Sequence, residues 1–520
     1  MSDAENSYPV LIKNLQQLLS SGGEEVTLIE THISSILLAG DYAYKIKKPL
    51  DLGFLDFTTL KRRRHFCQEE VRLNSRLAPA TYLGVIPITG TSVAPLLGGE
   101  GEAIEYAVKM RRFSGDGLLS HHADRLTRDT LDVIADRLAR FHSEIEVAGR
   151  EVIYGNPEVL LEPMRHNFEQ VDRLVGDAAA LGRVAKLAHW TERRYQQLQG
   201  QLLKRKASGF VRECHGDLHL GNITLEKGEV LIFDGIEFSP ELRWIDTMSE
   251  LAFLTMDLEE RGRTDLSGRL LNRYLELTGD YQGLGVLGFY QVYRAMVRAK
   301  VSVIRLRQEG VGESERQEMM ADFTSYLDLA EHYTELNTPA LVITHGLSGS
   351  GKSTQAAHCL ERLPAVRLRS DVERKRLAGL TAGDKSGSTL DGGIYTSDFS
   401  QRTYERLLEL ASQVTDAGFI AIVDATFLKR TQRLPFQQLA KGSALPYVIL
   451  DCQLPESELR VRIARRLQEG GDPSEASLQV LERQIASEEP LTTDEQACAL
   501  TLGSDLLNPA LLKECLKIGY

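Results

Sequence analysis

The sequence predicts two parts of different fold class: an α+β part over 1–335, with a small sheet lobe ahead of a larger helical lobe, and an α/β part over 340–520, with a parallel sheet and helices on both faces. Three observations carry this. Short strand-like runs fill 26–50 and 82–110, and long helical patterns dominate from about 125. After 340, strand and helix patterns alternate. Between the two lies ELNTP (335–339), where a helical stretch over 315–333 ends and Pro339 leads into an apolar strand. A chain of 520 residues is in any case too long for one core.

In the first part, alternation in YAYKIK (42–47) fits a strand, and 61–76 has helical spacing. The informative stretch is HGDLHLGN (215–222), followed by the apolar run VLIF (230–233) and then Asp234-Gly235. Phosphoryl transfer needs a carboxylate beside the attacking hydroxyl and oxygen ligands for Mg²⁺. Asp217 and Asn222 stand five apart, the spacing of base and metal ligand in a kinase catalytic loop, and Asp234 ends a strand. This stretch resembles the aminoglycoside phosphotransferase and choline kinase group of the protein-kinase-like fold, over about residues 25–330. The resemblance implies Asp217 as catalytic base and Asn222 and Asp234 as Mg²⁺ ligands. His215-Gly216-Asp217 replaces the His-Arg-Asp of protein kinases, so control through that Arg is not expected.

The same resemblance asks for a lysine on the α- and β-phosphates and a glutamate to hold it. Lys45 is the first choice and Lys47 the second; Glu70 is preferred over Glu69; a solvated ion pair is the alternative for each. The segment 32–37 lies where a glycine-rich cover belongs but has no GxGxxG, and EYAVKMRR (105–112) resembles the adenine-contacting hinge. Two segments are candidate acceptor handlers: Trp244-Ile245-Asp246 with Glu250, and a helix carrying Tyr290, Tyr293, Arg294, Arg298 and Lys300. Arg294 and Arg298 share a face and serve an anionic acceptor, a neighbouring domain or structural ion pairs.

The second part opens with LVI (341–343) and GLSGSGKST (346–354), which satisfies the Walker A pattern of Gly, four residues, Gly-Lys-Ser/Thr. Backbone N–H groups across Gly346, Ser348, Gly349, Ser350, Gly351 and Thr354 are placed to cradle phosphates at a helix start. Lys352 is expected on the β- and γ-phosphates and the Ser353 hydroxyl on Mg²⁺. Strands are expected at 366–368, 419–423 and 447–450, and helices at 398–417, 456–468 and 475–487. Asp371 and Arg374 sit three apart at a strand–helix junction, as general base and as holder of an acceptor phosphate or the transition state. Asp-x-x-Arg there resembles 5′-hydroxyl polynucleotide kinases, gluconate kinase and zeta-toxin-like kinases. Asp424 ends the next strand, either in the Mg²⁺ shell or facing the acceptor. Arg462 and Arg466 share a helix face ahead of GGDPS (470–474) and resemble the arginine-bearing lid of small P-loop kinases. The Gly- and Ser-rich segment 379–393 is expected to be a loop that shapes the acceptor pocket.

Taken together, the chain resembles the bacterial bifunctional aminoglycoside phosphotransferase-like/ATP-binding proteins along nearly its full length. That implies a Mg·ATP-dependent kinase with two potential centres acting on a hydroxyl acceptor. A nucleotide-switched ATPase or binding protein, with one or both parts regulatory, is the alternative. A formal net charge of −12 disfavours broad nucleic-acid binding and leaves a single 5′ end as the nucleic-acid substrate. The start, MSDAENSYPV, has no basic-plus-apolar signal pattern, no apolar run approaches the roughly 20 residues of a membrane span, and six scattered cysteines fit reduced thiols, so a cytoplasmic location is expected. Oligomeric state is not legible in the sequence.

Overall fold

The computed structural model describes residues 3–516, apart from 22, 24, 54, 308–311, 336–337, 389–391, 470–473 and 475. Its contacts divide the chain into two compact units. The first holds Met1–Leu126, Arg140–Asp257 and Lys300–Val311; the second holds Thr127–Ala139, Leu258–Ala299 and Gly312–Tyr520. The segment 335–339, read from sequence as a boundary, therefore falls inside the second unit.

The first unit opens with a six-stranded antiparallel sheet of order β1-β2-β3-β6-β4-β5. The strands are β1 (Val26–Glu30), β2 (Ser34–Ala39), β3 (Tyr42–Lys47), β4 (Tyr82–Gly90), β5 (Pro95–Leu97) and β6 (Ala103–Arg111). Period-two alternation assigns the faces of β3. Tyr44 and Ile46 pack with Leu11, Ile12 and Leu15 of the helix Asp3–Ser20. Ala43 packs with Cys67 of the helix Leu60–Asn74, so Lys45 and Lys47 are directed to that helix too. Two short ribbons follow: β7 (Val211–Glu213) with β10 (Trp244–Asp246), and β8 (Ile223–Glu226) with β9 (Glu229–Ile232). Long helices, among them Pro157–Leu174 and Ala178–Ala207, complete the unit.

The expected hinge is corrected. Residues 105–111 lie within β6, paired on both sides with β3 and β4. Their main-chain groups serve the ladder, and the alternating pattern of EYAVKMR is that of a strand. Segment 32–37 is likewise mostly β2.

The second unit is built on a five-stranded sheet of order β12-β13-β11-β14-β15. Its strands are β11 (Ala340–His345), β12 (Ala365–Arg369), β13 (Ile420–Asp424), β14 (Tyr447–Cys452) and β15 (Ala499–Leu502), and every pairing is parallel. All six residues of β11 are buried, as expected of a central strand covered on both faces. The expected helices appear as Lys352–Leu360, Ser397–Asp416, Glu456–Glu469 and Leu478–Ser487, joined by Ser370–Leu377 and Arg430–Gly442. Among the described residues no helix is long and apolar enough to cross a membrane.

Candidate functional site

In the first unit, Lys45, Glu70, Asp217, Asn222 and Asp234 gather around the catalytic-loop motif. Lys45 Nζ lies 2.8 Å from Glu70 Oε1 and donates to Asp234 Oδ1 at 2.6 Å. Glu70 also accepts from Lys47 Nζ at 2.7 Å, and Lys47 pairs in turn with Glu237. Both lysine candidates thus share one glutamate, and Lys45 is the one that reaches Asp234. Glu69 instead pairs with Arg72 on the surface. A strand-three lysine held by a glutamate of the next helix is the arrangement of protein-kinase-like folds.

The electrostatics follow from burial against pairing. Burial alone would lower the Lys45 ammonium, but the carboxylates of Asp234, Glu70 and Glu237 outweigh it and hold its pKa well above 10.5. Burial alone would raise Glu70, but Lys45 and Lys47 bring its carboxyl down to about 2.

Asp234 has a left-handed backbone, φ 63°, a conformation rare for a non-glycine residue and held only by its surroundings. Its N–H donates to the Tyr82 hydroxyl at 3.2 Å, and the next N–H, of Gly235, donates to Asn74 Oδ1 at 2.7 Å. Asn74 ends the helix that carries Glu70, so one helix sets both the lysine and the metal-ligand candidate. Asn222 Nδ2 donates to Asp217 Oδ2 at 3.1 Å and to the Asp217 carbonyl at 2.9 Å. Gly216 has φ 89°, and a Cβ there would meet the Leu242 carbonyl at 2.8 Å. Its N–H donates to Glu250 Oε2 at 2.7 Å, and Glu250 Oε1 lies 3.0 Å from His142 Nε2. Burial would raise the Glu250 carboxyl, but His142, His215 and the Gly216 N–H bring it to about 2.

The acceptor-handling expectation for 244–250 is corrected by these contacts. Asp246 is buried in a two-bond pair with Arg205, at 2.7 and 2.8 Å, and Glu250 is buried under the catalytic loop. Neither carboxylate faces solvent. In the second helix considered, Arg294 is buried, Arg298 Nε donates to the Tyr326 hydroxyl at 3.3 Å and Lys300 Nζ to Asn167 Oδ1 at 2.6 Å, which fits structural pairing.

In the second unit, the parallel sheet brings the C-terminal ends of β11, β12 and β13 to one edge, where ligands of such sheets bind. The loop after β11 is the Walker A segment. Gly346 (φ 132°), Gly349 (φ 86°) and Gly351 (φ 93°) take conformations that favour glycine, and a Cβ on Gly346 would stand 2.4 Å from the Cys452 carbonyl. Asp371 and Arg374 follow β12, and Asp424 ends β13. A cleft of about 840 Å³ collects them. Its lining includes Ser348, Gly349, Gly351, Lys352, Ser353 and Thr354 of the phosphate loop, Asp371, Arg374 and Asp424 from the ends of β12 and β13, and Arg462 and Arg466. Gly346 and Ser350 shape the loop behind this lining.

Lys352 Nζ donates to the Leu347 carbonyl at 2.7 Å. Burial lowers its pKa, and Asp424, Cys452 and Asp371 oppose that only partly. Arg374 Nη1 donates to the Ile394 carbonyl at 2.9 Å and the Ser400 hydroxyl at 3.1 Å, and the guanidinium lies over the Tyr395 ring. Arg462 pairs with Glu458 at 2.5 Å, and Arg466 donates to the Ala476 carbonyl at 3.0 Å. Of the expected lid segment, 470–473 lie outside the described residues. Several cleft residues escaped the sequence reading, Arg369, Gln484 and Tyr395 among them. Arg369 Nε stands 3.8 Å from Asp424 Oδ2, Gln484 Oε1 accepts the Ser348 N–H at 2.8 Å, and Tyr395 stacks on Arg374. No local pattern marks them, because each acts across the fold.

Residues 341–491 match the family model of an AAA domain, the P-loop class to which the Walker A segment belongs. Among solved structures, a choline/ethanolamine kinase family protein from Mesorhizobium loti aligns over 62% of this chain and 99% of its own, at 11% identity and TM-score 0.37. A sugar kinase from Janibacter sp. aligns over 34% of this chain and 91% of its own, at 24% identity and TM-score 0.26. Among curated proteins, an uncharacterized protein of Mycobacterium tuberculosis is 31% identical over 462 residues, 87% of this chain and 88% of that protein. An uncharacterized protein of Mycobacterium bovis matches to the same extent. The chain belongs to the family of these mycobacterial proteins.

Proposed function

We propose that the chain is a Mg·ATP-dependent phosphotransferase with two kinase centres, one in a kinase-like domain over 1–335 and one in a P-loop domain over 340–520. The observation that carries this is the cleft of the second unit. It gathers in one lining Lys352 and Ser353, suited to phosphate, and a carboxylate and a guanidinium, Asp371 and Arg374, suited to an acceptor. A pure nucleotide switch needs only the first pair.

Both donor sets suit Mg²⁺, a hard cation that prefers oxygen. Asp424 Oδ2 is buried and makes no hydrogen bond among the described residues, and Ser353 lines the same cleft. In the first unit, Asn222 turns its amide nitrogen to Asp217, so its amide oxygen would hold the metal together with the Asp234 carboxylate, whose Oδ1 accepts from Lys45. Held by these groups, Mg²⁺ would neutralise phosphate charge.

The protein's own groups do the rest. In each centre the acceptor hydroxyl attacks the γ-phosphorus, the bond to the β-phosphate oxygen breaks, and ADP leaves. Asp217, held by Asn222, takes the hydroxyl proton in the first centre, and Asp371 takes it in the second. Lys45 and Lys352 bind phosphate oxygens. Arg374 holds an anionic group of the acceptor or the transferring phosphoryl, and Arg462 and Arg466 add positive charge as the cleft closes.

The test is label transfer from γ-labelled ATP with Mg²⁺ to aminoglycosides, amino sugars, nucleosides, sugar acids and 5′-hydroxyl oligonucleotides. Wild type, Asp217→Ala and Lys352→Ala run side by side. Label on an acceptor class that is lost in only one variant assigns reaction and centre together. ATP hydrolysis without labelled acceptor favours the switch, a reading supported by Gln484 holding the Ser348 N–H of the phosphate loop.

A further inference from the structure

The helix Thr264–Thr278 stands more than sixty residues before the phosphate loop, in the stretch that sequence assigns to the other domain. In the fold it packs on the C-terminal sheet. β12 is the edge strand of that sheet, and an edge strand needs its free main-chain groups covered. Asn272 covers them as a neighbouring strand would. Its Nδ2 donates to the Ala365 carbonyl at 2.9 Å, and its Oδ1 accepts the Arg367 N–H at 2.8 Å.

One turn on, the buried Glu276 meets three routes into the cleft. Its Oε1 accepts from Arg367 Nε at 3.0 Å and Nη2 at 2.6 Å, and Arg367 Nη1 donates to the Ser353 carbonyl at 3.3 Å. Its Oε2 lies 3.9 Å from Arg369 Nη1, whose Nε lies 3.8 Å from Asp424 Oδ2. Its main-chain carbonyl accepts from Arg376, which also pairs with Glu373 on the helix that carries Asp371 and Arg374. Gly268 completes the fit, since a Cβ there would stand 2.7 Å from the Leu360 carbonyl at the end of the phosphate-loop helix.

We infer that the helix Thr264–Thr278 is a working part of the C-terminal centre, with Asn272 and Glu276 as positioning residues that set Ser353, Asp424 and the Asp371–Arg374 helix together. Glu276 shares Arg369 with Asp424 and thereby keeps that guanidinium from closing fully on the acid. Without the Glu276 charge, Arg369 loses that carboxylate and draws Asp424 out of place. The inference rests on the phosphotransferase reading of this cleft, and its failure is separable from failure of that reading.

The experiment uses the full chain in an Asp217→Ala background, so that only Lys352-dependent turnover is read. Glu276→Gln is expected to lower kcat about tenfold while KM for ATP stays within about twofold and the melting curve is kept, since misplaced catalytic groups cost rate before binding. Glu276→Asp, which keeps the charge, is expected to recover much of the loss. Asn272→Ala, expected to act in the same direction, carries the test if Glu276→Gln does not fold. Parental kcat in both Glu276→Gln and Asn272→Ala overturns the inference. If the parent itself shows no turnover, the phosphotransferase reading fails, and hydrogen exchange then decides the structural claim. Faster exchange over 365–377 in Glu276→Gln supports it, and unchanged exchange overturns it.

Discussion

The two units hold the lysines proposed to bind phosphate in opposite electrostatic settings. Lys45 is buried among three carboxylates, which raise its pKa well above 10.5. Lys352 is equally buried but meets a main-chain carbonyl, and burial lowers its pKa. The first centre is therefore balanced within itself: Glu70 bridges two lysines, Glu237 answers the second, and Asp234 is held by the first. The second centre is less closely paired: among the described residues Asp424 Oδ2 makes no hydrogen bond and has only the more distant Arg369 Nε at 3.8 Å, and Lys352 Nζ donates to a main-chain carbonyl. An ion-paired lysine is fixed in position before nucleotide arrives; an unpaired buried one gains most of its stabilisation from the phosphate itself. The difference predicts a rigid, preorganised first centre and a second centre whose charge is completed by ligand.

The largest effects break each side of this comparison separately. Lys352→Ala or Asp371→Ala is expected to reduce C-terminal transfer by about a thousandfold or more, with N-terminal transfer kept, and Asp217→Ala is expected to do the converse. Single-turnover transfer with each acceptor class measures both. Next comes Glu70→Gln, which leaves two buried lysines short of one carboxylate. Removing one partner of a buried pair costs about 3–5 kcal/mol, and denaturant unfolding of the first unit reads it. Its acid signature is specific. The Glu70 carboxyl is lowered from 4.5 to about 2, so its pairing stabilises fully above pH 4.5 and is lost as pH falls toward 2. The variant is expected to lack that loss.

The alkaline limb sharpens the comparison. Lys45, raised above 10.5, keeps its charge and pairing until pH passes its folded value. Lys352, lowered from 10.5, loses its proton first. Folding stability linked to Lys352 then rises with pH, because the unfolded chain binds the extra proton, while phosphate binding weakens. The kcat/KM for ATP of the C-terminal centre is expected to fall at lower alkaline pH than that of the N-terminal one, measured in Asp217→Ala and Lys352→Ala respectively. The smallest effect is Arg462→Ala. Its side chain is 38% exposed and already paired with Glu458, so a loss of about tenfold or less in C-terminal kcat is expected.

Much of this was legible in the sequence because it is local. Walker A glycines at positive φ, alternation in β3 and the five-residue spacing of Asp217 and Asn222 are each set within a few residues. Four of the five C-terminal strands and the main helices were also read, since their periods are strong, while the short edge strand β15 and the helix Arg430–Gly442 were not. The misreadings were long-range. EYAVKMR was taken for a hinge although its alternation belongs to β6. Asp246 and Glu250 were taken for acceptor groups because the partners that bury them, Arg205 and His142, lie 41 and 108 residues away. The Glu237 answer to Lys47 and the helix that covers β12 have no local signature at all, since each joins segments about ninety or more residues apart.

Each unit is expected to bind its own nucleotide. Calorimetric titration of the full chain with Mg²⁺ and a non-hydrolysable ATP analogue tests it most directly. Two sites per chain are expected in wild type, one in Lys352→Ala, one in Lys45→Met and none in the double variant. A single site in wild type that survives Lys352→Ala unchanged would contradict the account.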